Sequence, residues 1–222
     1  MQYHMWHKQT IQQLKPASDW QQYFRVGLFG LVFFGLSYGY TSWLKTPNPL
    51  NKAVADTSIF LMGLSMLLSS ICYFWDRFDT KIIYRKHLGL IGYAFAIAHV
   101  VLSHSALRRL IFAPNWSESA PWAVLTGLLA TGIFTIMAAI SNRYMAKELG
   151  GRVWRTILRT GYLAVILVWF HVVLLKSSYW MKWYQGGMKT LPSMSLLVSL
   201  FMVVVVVMRI RLWWALRSKQ KA

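Results

Sequence analysis

Two histidines, His99 and His171, lie deep inside long apolar stretches of the sequence that begin near residues 84 and 156. An imidazole in hydrocarbon is costly without a partner, so an intramembrane histidine is a functional-site candidate by default. If both stretches are helices that cross the membrane in the same direction, each histidine lies about 22 Å from the inner end, at 1.5 Å per residue. Equal depth predicts that the two imidazoles face each other across a gap and share a ligand.

The ligand that the two imidazoles could share is limited by the residues around them. Structural zinc takes four protein ligands and catalytic zinc takes three, and the sequence places no carboxylate or thiol at this depth. Haem iron needs only two axial ligands, because the porphyrin supplies the other four positions. The pair therefore predicts a b-type haem with His99 and His171 as iron ligands. The alternative is that each imidazole only hydrogen-bonds a hydroxyl or carbonyl group of a neighbouring helix.

Residues near the pair are candidates for further cofactor contacts. Gly92 precedes His99 by two turns on the same helical face, which predicts a recess where a flat ring could pack. Three basic residues follow the two histidines and could neutralise haem propionates at the outer rim, namely Arg108, Arg109 and Lys176. The alternative is that these side chains only extend to the membrane boundary.

Two further histidines lie on the same apolar stretch as His99. At 100° per residue, both His87 and His104 point well away from the His99 face. His87 lies near the predicted inner end of the helix, and at the matching depth the fifth apolar stretch has Leu158 and Arg159 and no second histidine. His104 has no assigned role.

The composition is that of a membrane protein. The chain has 222 residues, of which 56% are hydrophobic and only 14% charged, with a mean hydropathy of +0.41, whereas soluble proteins carry roughly 25% charged residues. Stretches of about 20 apolar residues can cross a membrane, and they occur at 24–44, 57–75, 84–107, 121–140, 156–176 and 190–208. The sequence thus predicts an all-α integral membrane protein with a haem-binding bundle of six transmembrane helices.

The domain organisation follows from these stretches. Residues 1–23 are predicted to form a polar cytoplasmic tail, residues 24–208 the bundle, and residues 209–222 a basic cytoplasmic tail. No soluble nucleotide or flavin domain is predicted. A cleavable signal peptide is not expected either, because no apolar stretch precedes the first helix.

The net charge of +18 could indicate nucleic-acid binding, but its distribution argues for a topological origin. Most of the 24 Lys and Arg residues fall at the two termini and in alternate loops. The positive-inside rule therefore places both termini in the cytoplasm. The lipid bilayer, and no nucleic acid, is the expected partner of this charge. The single cysteine, Cys72, excludes a disulfide framework within the chain.

Two segments resemble a known family. Arg85-Lys86-His87-Leu88-Gly89-Leu90 leads to Ala98-His99, and Gly151-Arg152-Val153-Trp154 leads through Tyr162-Leu163 to His171. In this order they resemble the ferric reductase-like transmembrane domain family, and most closely its short bacterial branch, the YedZ/MsrQ-type haem subunits. The resemblance covers about residues 55 to 210 and implies transmembrane electron transfer in the bacterial inner membrane.

The resemblance also implies roles and partners. His99 and His171 match the outer haem ligands of the family, whereas Leu158 stands where relatives often carry an inner histidine. The resemblance therefore leaves His87 as the candidate for an inner cofactor site, which could take a second haem, a flavin or a quinone. Electrons would come from a cytoplasmic flavin reductase that uses NAD(P)H, with FMN as an intermediate carrier, or from the quinone pool. They would leave to a periplasmic redox protein, such as a methionine sulfoxide reductase.

Two other functions stay open at the level of sequence. The chain could be a stand-alone reductase of ferric chelates or oxygen, in which case it is an enzyme by itself. A small transporter or assembly factor without haem is the alternative from a different class. Paired intramembrane carboxylates would favour a transporter, and none is predicted, because all six acidic residues fall near or outside the predicted boundaries.

Overall fold

The computed structural model describes residues 18–116 and 118–221. In these residues the chain is helical and has no strand, and a 3-10 segment at Asp76–Tyr84 joins the second and third α-helices. The α-helices are α1 (Asp19–Trp43), α2 (Pro49–Phe74), α3 (Arg85–Leu102), α4 (His104–Phe112), α5 (Ser119–Ile140), α6 (Arg143–Glu148), α7 (Gly150–Arg159), α8 (Gly161–Gln185) and α9 (Met194–Lys221).

Local sequence signals explain where the first two helices begin. Ser18 caps α1, with its hydroxyl oxygen accepting a hydrogen bond from the Gln21 backbone at 3.4 Å. Asn48 adopts a left-handed conformation with φ of 52°, and Pro49 then occupies the first turn of α2, where its missing N–H costs nothing. Helix α1 thus begins within the predicted polar tail, and α2 begins eight residues before the apolar stretch that predicted it. Residues 1–17 of that tail lie outside the described residues.

Four continuous helical segments are long and apolar enough to cross a membrane: 49–74, 119–140, 150–185 and 194–218. The bent segment 76–112 makes a fifth if its two arms form one span. Helix α1 is long enough for a sixth span, but its glycine and tyrosine residues lower its mean hydropathy. It is therefore not among these candidate spans. The chain is therefore a multi-pass helical protein with four to five candidate spans.

Helix α2 is the centre of the bundle. It is the most buried of the candidate spans and packs against α1, α3 and α9. Helices α5 and α8 form a second closely packed pair, and α9 joins them to α2. Only a limited contact between α3 and α5 links the two groups directly. The helices that carry His99 and His171, α3 and α8, therefore lie on opposite sides of a gap.

The apolar stretch at 84–107 is not one straight helix. It breaks at Ser103, four residues after His99, and α4 continues at an angle of 59° to the preceding arm. The Ser103 backbone N–H closes the last turn on the carbonyl oxygen of His99 at 3.0 Å. The break therefore ends α3 immediately beyond the histidine and turns Arg108 and Arg109 away from it.

Candidate cofactor site

The structure brings His99 and His171 together. Their ring centroids are 6.2 Å apart and their planes make an angle of 80°. An imidazole nitrogen binds a metal at about 2 Å, so two imidazoles on opposite sides of one metal ion have centroids roughly 6 Å apart. The spacing of the pair would therefore allow both imidazoles to bind one metal ion.

Each imidazole is oriented by a hydrogen bond from Nδ1 to a different helix. His99 Nδ1 lies 2.7 Å from Asn51 Oδ1 on α2, and His171 Nδ1 lies 2.7 Å from the Ala123 carbonyl oxygen on α5. Both partners are acceptors, so both Nδ1 atoms carry the proton and donate it. Histidines that bind metals typically donate their second nitrogen in this way, which fixes the tautomer.

The Nε2 atoms are left for a ligand. Neither Nε2 of the pair makes a hydrogen bond to any residue that the structure describes. With Nδ1 protonated, each Nε2 carries a lone pair. Within the described residues no group of three or more His, Cys, Asp or Glu side chains could hold a metal ion. The donor set is therefore two imidazoles, which fits haem iron and does not fit a zinc site.

The pair lines a cavity of about 470 Å³. It is called the outer cavity because it lies towards the ends of α3 and α8 that the sequence predicts to be outside, and the cavity at the other ends is called the inner cavity. This volume lies within the range of about 300–1,000 Å³ that is typical of small-molecule sites. Its wall is largely apolar, from residues of α2, α3, α5 and α8 that include Ile59, Ala96, Val124, Leu128, Val168 and Val172. The cavity is thus suited to a mainly hydrophobic group.

Three charged residues line the outer cavity: Lys52, Asp56 and Lys176. Asp56 is only 5% exposed and accepts a hydrogen bond from the Ser37 hydroxyl at 3.3 Å. Of the three basic residues predicted from sequence, Lys176 lies in the cavity, whereas Arg108 and Arg109 are exposed on α4 and do not line it. The positive charge available to an acidic group therefore comes from Lys52 and Lys176.

The sequence does not predict Asp56 as a cavity residue, because the second apolar stretch begins at residue 57. The structure extends α2 back to Pro49, which brings Asp56 inside the helix and into the cavity. The signal was the spacing of Lys52 and Asp56, which are four residues apart and therefore share one helical face with Ile59. One carboxylate therefore lines the same cavity as the histidines, although it does not join them in a metal-binding group among the described residues.

Gly92 does not open towards the outer cavity. A Cβ atom there would lie 2.7 Å from Met62 Cγ and 3.0 Å from the Met62 backbone nitrogen. The space beside Gly92 is therefore filled by α2, and the missing side chain allows α2 and α3 to pack closely. The structure thus gives Gly92 a packing contact, where the sequence predicted a recess for a ring.

Gly127 on α5 is the glycine that makes room for a site residue. A Cβ atom at Gly127 would lie 2.8 Å from His171 Nδ1 and 3.1 Å from Cε1. The imidazole therefore lies directly against the α5 backbone, where Nδ1 reaches the Ala123 carbonyl. No sequence pattern distinguishes this glycine, because its role depends on which helix packs opposite.

We expect Gly127→Ala to displace the His171 imidazole and break its hydrogen bond to Ala123. Loss of such an outer partner typically costs about 10–100-fold in metal affinity. The measurement is haem bound per polypeptide after purification, and Gly132→Ala on the same helix is the control, because a Cβ there meets nothing within 4 Å. Equal haem content in the two variants would contradict the role assigned to Gly127.

His87 lies in a second, inner cavity of about 560 Å³. The side chain is buried, its Nδ1 lies 3.2 Å from the Ile83 carbonyl oxygen, and its Nε2 has no hydrogen-bond partner among the described residues. Asp19 Oδ1 lies 4.0 Å from this nitrogen. Leu158 also lines this cavity, and it occupies the position at which the family that the chain resembles often has a histidine. His104 is exposed on α4 and lines neither cavity.

The two cavities share a wall. Met62 on α2 and Phe134 on α5 line both of them, and both side chains are buried. The outer and inner cavities are therefore adjacent, with Met62 and Phe134 between them. A redox group in each would be separated by little protein.

The fold and the site define a class: a multi-pass helical membrane protein with two imidazoles poised in an apolar cavity between helices. No family model matches the sequence. The chain is 27% identical over 168 residues to the protein-methionine-sulfoxide reductase haem-binding subunit MsrQ of Agrobacterium fabrum, covering 74% of this chain and 75% of the relative.

A second relative with the same name, from Ralstonia nicotianae, is 26% identical over 138 residues, covering 62% of this chain and 58% of the relative. In both cases the printed name describes a haem-binding subunit of a protein-methionine-sulfoxide reductase. These similarities confirm the resemblance to the YedZ/MsrQ-type subunits.

Proposed function

We propose that this chain is a haem-b membrane subunit that transfers electrons from a donor on the cytoplasmic side of the bacterial inner membrane to an acceptor on the periplasmic side. The observation that carries the proposal is the His99–His171 pair, with centroids 6.2 Å apart and both Nδ1 protons donated elsewhere. The relatives named as haem-binding subunits support it.

Different residues of the cavity would bind different parts of the haem. His99 and His171 would bind the iron through Nε2, and the apolar cavity wall would exclude water from the ring. Lys52 and Lys176 are the cavity's basic residues and would pair with the propionates. When bound, the haem supplies a carrier that accepts and releases one electron at a time.

The proposed topology has six spans, with both termini in the cytoplasm. Helix α1 exposes large apolar side chains along its length, among them Phe24, Leu28, Leu31, Val32 and Leu36. Exposed apolar residues in such number are expected where a helix faces lipid. This surface supports α1 as the sixth span beside the candidate spans already described.

The inner cavity is the proposed entry point for electrons. It contains His87 with a free Nε2, and the polar residues Gln22 and Asn142 line the same space. The proposed donor is quinol from the membrane pool or a cytoplasmic flavin reductase acting through FMN; a second haem bound by His87 is an alternative. The proposed acceptor is a periplasmic protein of the methionine sulfoxide reductase type.

The experiment that tests this function uses the purified protein in proteoliposomes. We expect the haem to be reduced when quinol is added to the membrane, or when NADH and a flavin reductase are enclosed in the vesicles. We expect it to be reoxidised when the periplasmic reductase and its sulfoxide substrate are added outside, and the absorbance spectrum follows both steps. His87→Ala should slow reduction from inside several-fold and leave the oxidised spectrum unchanged. His104→Ala, an exposed histidine on α4, is the control.

The outcomes separate the alternatives. Rapid reoxidation by ferric chelates or oxygen, with no gain from the periplasmic protein, would favour a stand-alone reductase. A colourless protein would contradict electron transfer and favour a small transporter or assembly factor. The buried Asp56 in the outer cavity is the one observation that favours a transporter, because a carboxylate beside two lysines could relay protons.

A further inference from the structure

Only one of the two histidines is oriented by a side chain. His171 Nδ1 donates to the Ala123 backbone carbonyl, whereas His99 Nδ1 donates to the amide oxygen of Asn51 at 2.7 Å. A backbone acceptor is the same whatever residue occupies its position. The acceptor for His99 depends on the residue type at position 51, so a substitution there can change the strength of the hydrogen bond to His99.

Asn51 is held in the orientation that this bond needs. Its amide nitrogen donates to the Ser103 hydroxyl at 3.0 Å, and Ser103 is the residue at which the helix breaks between α3 and α4. An amide that donates through its nitrogen to Ser103 presents its oxygen to His99. The helix break, the amide and the imidazole thus form one chain of hydrogen bonds that ends at the His99 ring.

We propose that Asn51 is a positioning residue that sets the reduction potential of the outer haem through its hydrogen bond to His99; this rests on the proposed function. The acceptor on Nδ1 controls the basicity of Nε2, because a stronger acceptor draws the proton and makes the ring a better electron donor to the metal. A more basic axial ligand stabilises ferric over ferrous iron. A neutral amide is an acceptor of intermediate strength.

The test compares midpoint potentials of the haem in the full-length protein by redox titration. Asn51→Asp replaces the amide oxygen by a charged acceptor and should disfavour reduction by at least about tenfold, which for a one-electron couple is about 59 mV towards lower potential. Asn51→Leu removes the acceptor and should shift the potential in the opposite direction. Ser103→Ala frees the amide and should give a smaller shift with the sign of Asn51→Leu.

The matched control is Asn48→Asp. Asn48 lines the same cavity and precedes α2, so this variant adds the same charge with no contact to His99, and its left-handed conformation is one that Asp also tolerates. We expect Asn48→Asp to shift the potential by less than half as much as Asn51→Asp. Equal shifts in the two variants would overturn the proposal, because they would reflect charge alone.

A purely structural role for Asn51 makes a different prediction. Asn51→Leu would then lower thermal stability and leave the midpoint potential unchanged, which would also overturn the proposal. The wild-type spectrum separates this failure from failure of the proposed function. If the wild type binds haem and the variants have the same midpoint potential as the wild type, only the role of Asn51 is contradicted. If the wild type binds no haem, the proposed function is contradicted as well.

Discussion

Replacing either His99 or His171 by alanine is expected to abolish the b-type absorbance of the purified protein. In the proposed site each imidazole is one of two protein ligands, and no other His, Cys, Asp or Glu of the described residues joins the pair in a metal-binding group. The loss should exceed the roughly 10–100-fold that removal of an outer hydrogen-bond partner costs. The measurement is the Soret band per polypeptide.

The variants must be distinguished from misfolded protein. His104→Ala is the control, because His104 is exposed on α4 and lines neither cavity, and it should keep the full band. Exogenous imidazole should restore part of the absorbance of His99→Gly or His171→Gly, since the shortened side chain leaves space for the free ligand. A full Soret band in the double alanine variant would show that the iron ligands are other residues.

The second large effect is expected at Gly92. A valine there would place Cβ against the side chain and the backbone nitrogen of Met62, at 2.7 and 3.0 Å, and backbone cannot move aside as a flexible side chain can. Overpacking of this kind typically costs about 1–3 kcal/mol. We expect Gly92→Val to lower the thermal unfolding temperature and the yield of folded protein, because α2 and α3 form the most extensive helix contact.

Gly39→Val on α1 is the control for this prediction, because a Cβ at Gly39 meets nothing within 4 Å. Its stability should stay close to that of the wild type. The two interpretations of Gly92 predict different results. A variant that keeps its unfolding temperature but loses haem would support the recess predicted from sequence and contradict the packing contact with Met62.

The proximity of His99 and His171 could be predicted from sequence because it depends only on helical rise and chain direction. Two histidines at equal depth in parallel helices need no knowledge of side-chain packing, and the structure indeed brings them within 6.2 Å. The all-helical fold also followed from hydropathy. These features are set by local periodicity, which a single sequence contains.

The surroundings of the pair could not be predicted in the same way. Asn51 and Asp56 fall outside the apolar stretch at 57–75, and the continuation of α2 back to Pro49 brings both into the wall of the cavity that His99 lines. Arg108 and Arg109 follow His99 closely in sequence, but after the break at Ser103 both are exposed on α4 and neither lines the outer cavity. Helix ends and breaks depend on the neighbouring helices, so residue spacing alone does not reveal them.

The roles of Gly92 and Gly127 depend on contacts between helices, which the sequence alone does not show. Gly92 shares a helical face with His99, yet α2 fills the space beside it, whereas Gly127 on another helix admits the His171 ring. The difference lies in which helix packs against each glycine. Helix periodicity places a residue on a face but does not identify what that face contacts.

The most direct test of the central claim is the ligation state of the iron in the purified wild-type protein. Magnetic circular dichroism in the near infrared, combined with haem quantified per polypeptide, distinguishes two imidazole ligands from one. We expect at least one b-type haem per chain, six-coordinate and low-spin, with two histidine ligands. A colourless protein, or a haem that is five-coordinate and high-spin, would contradict the assignment of His99 and His171 as a pair of axial ligands.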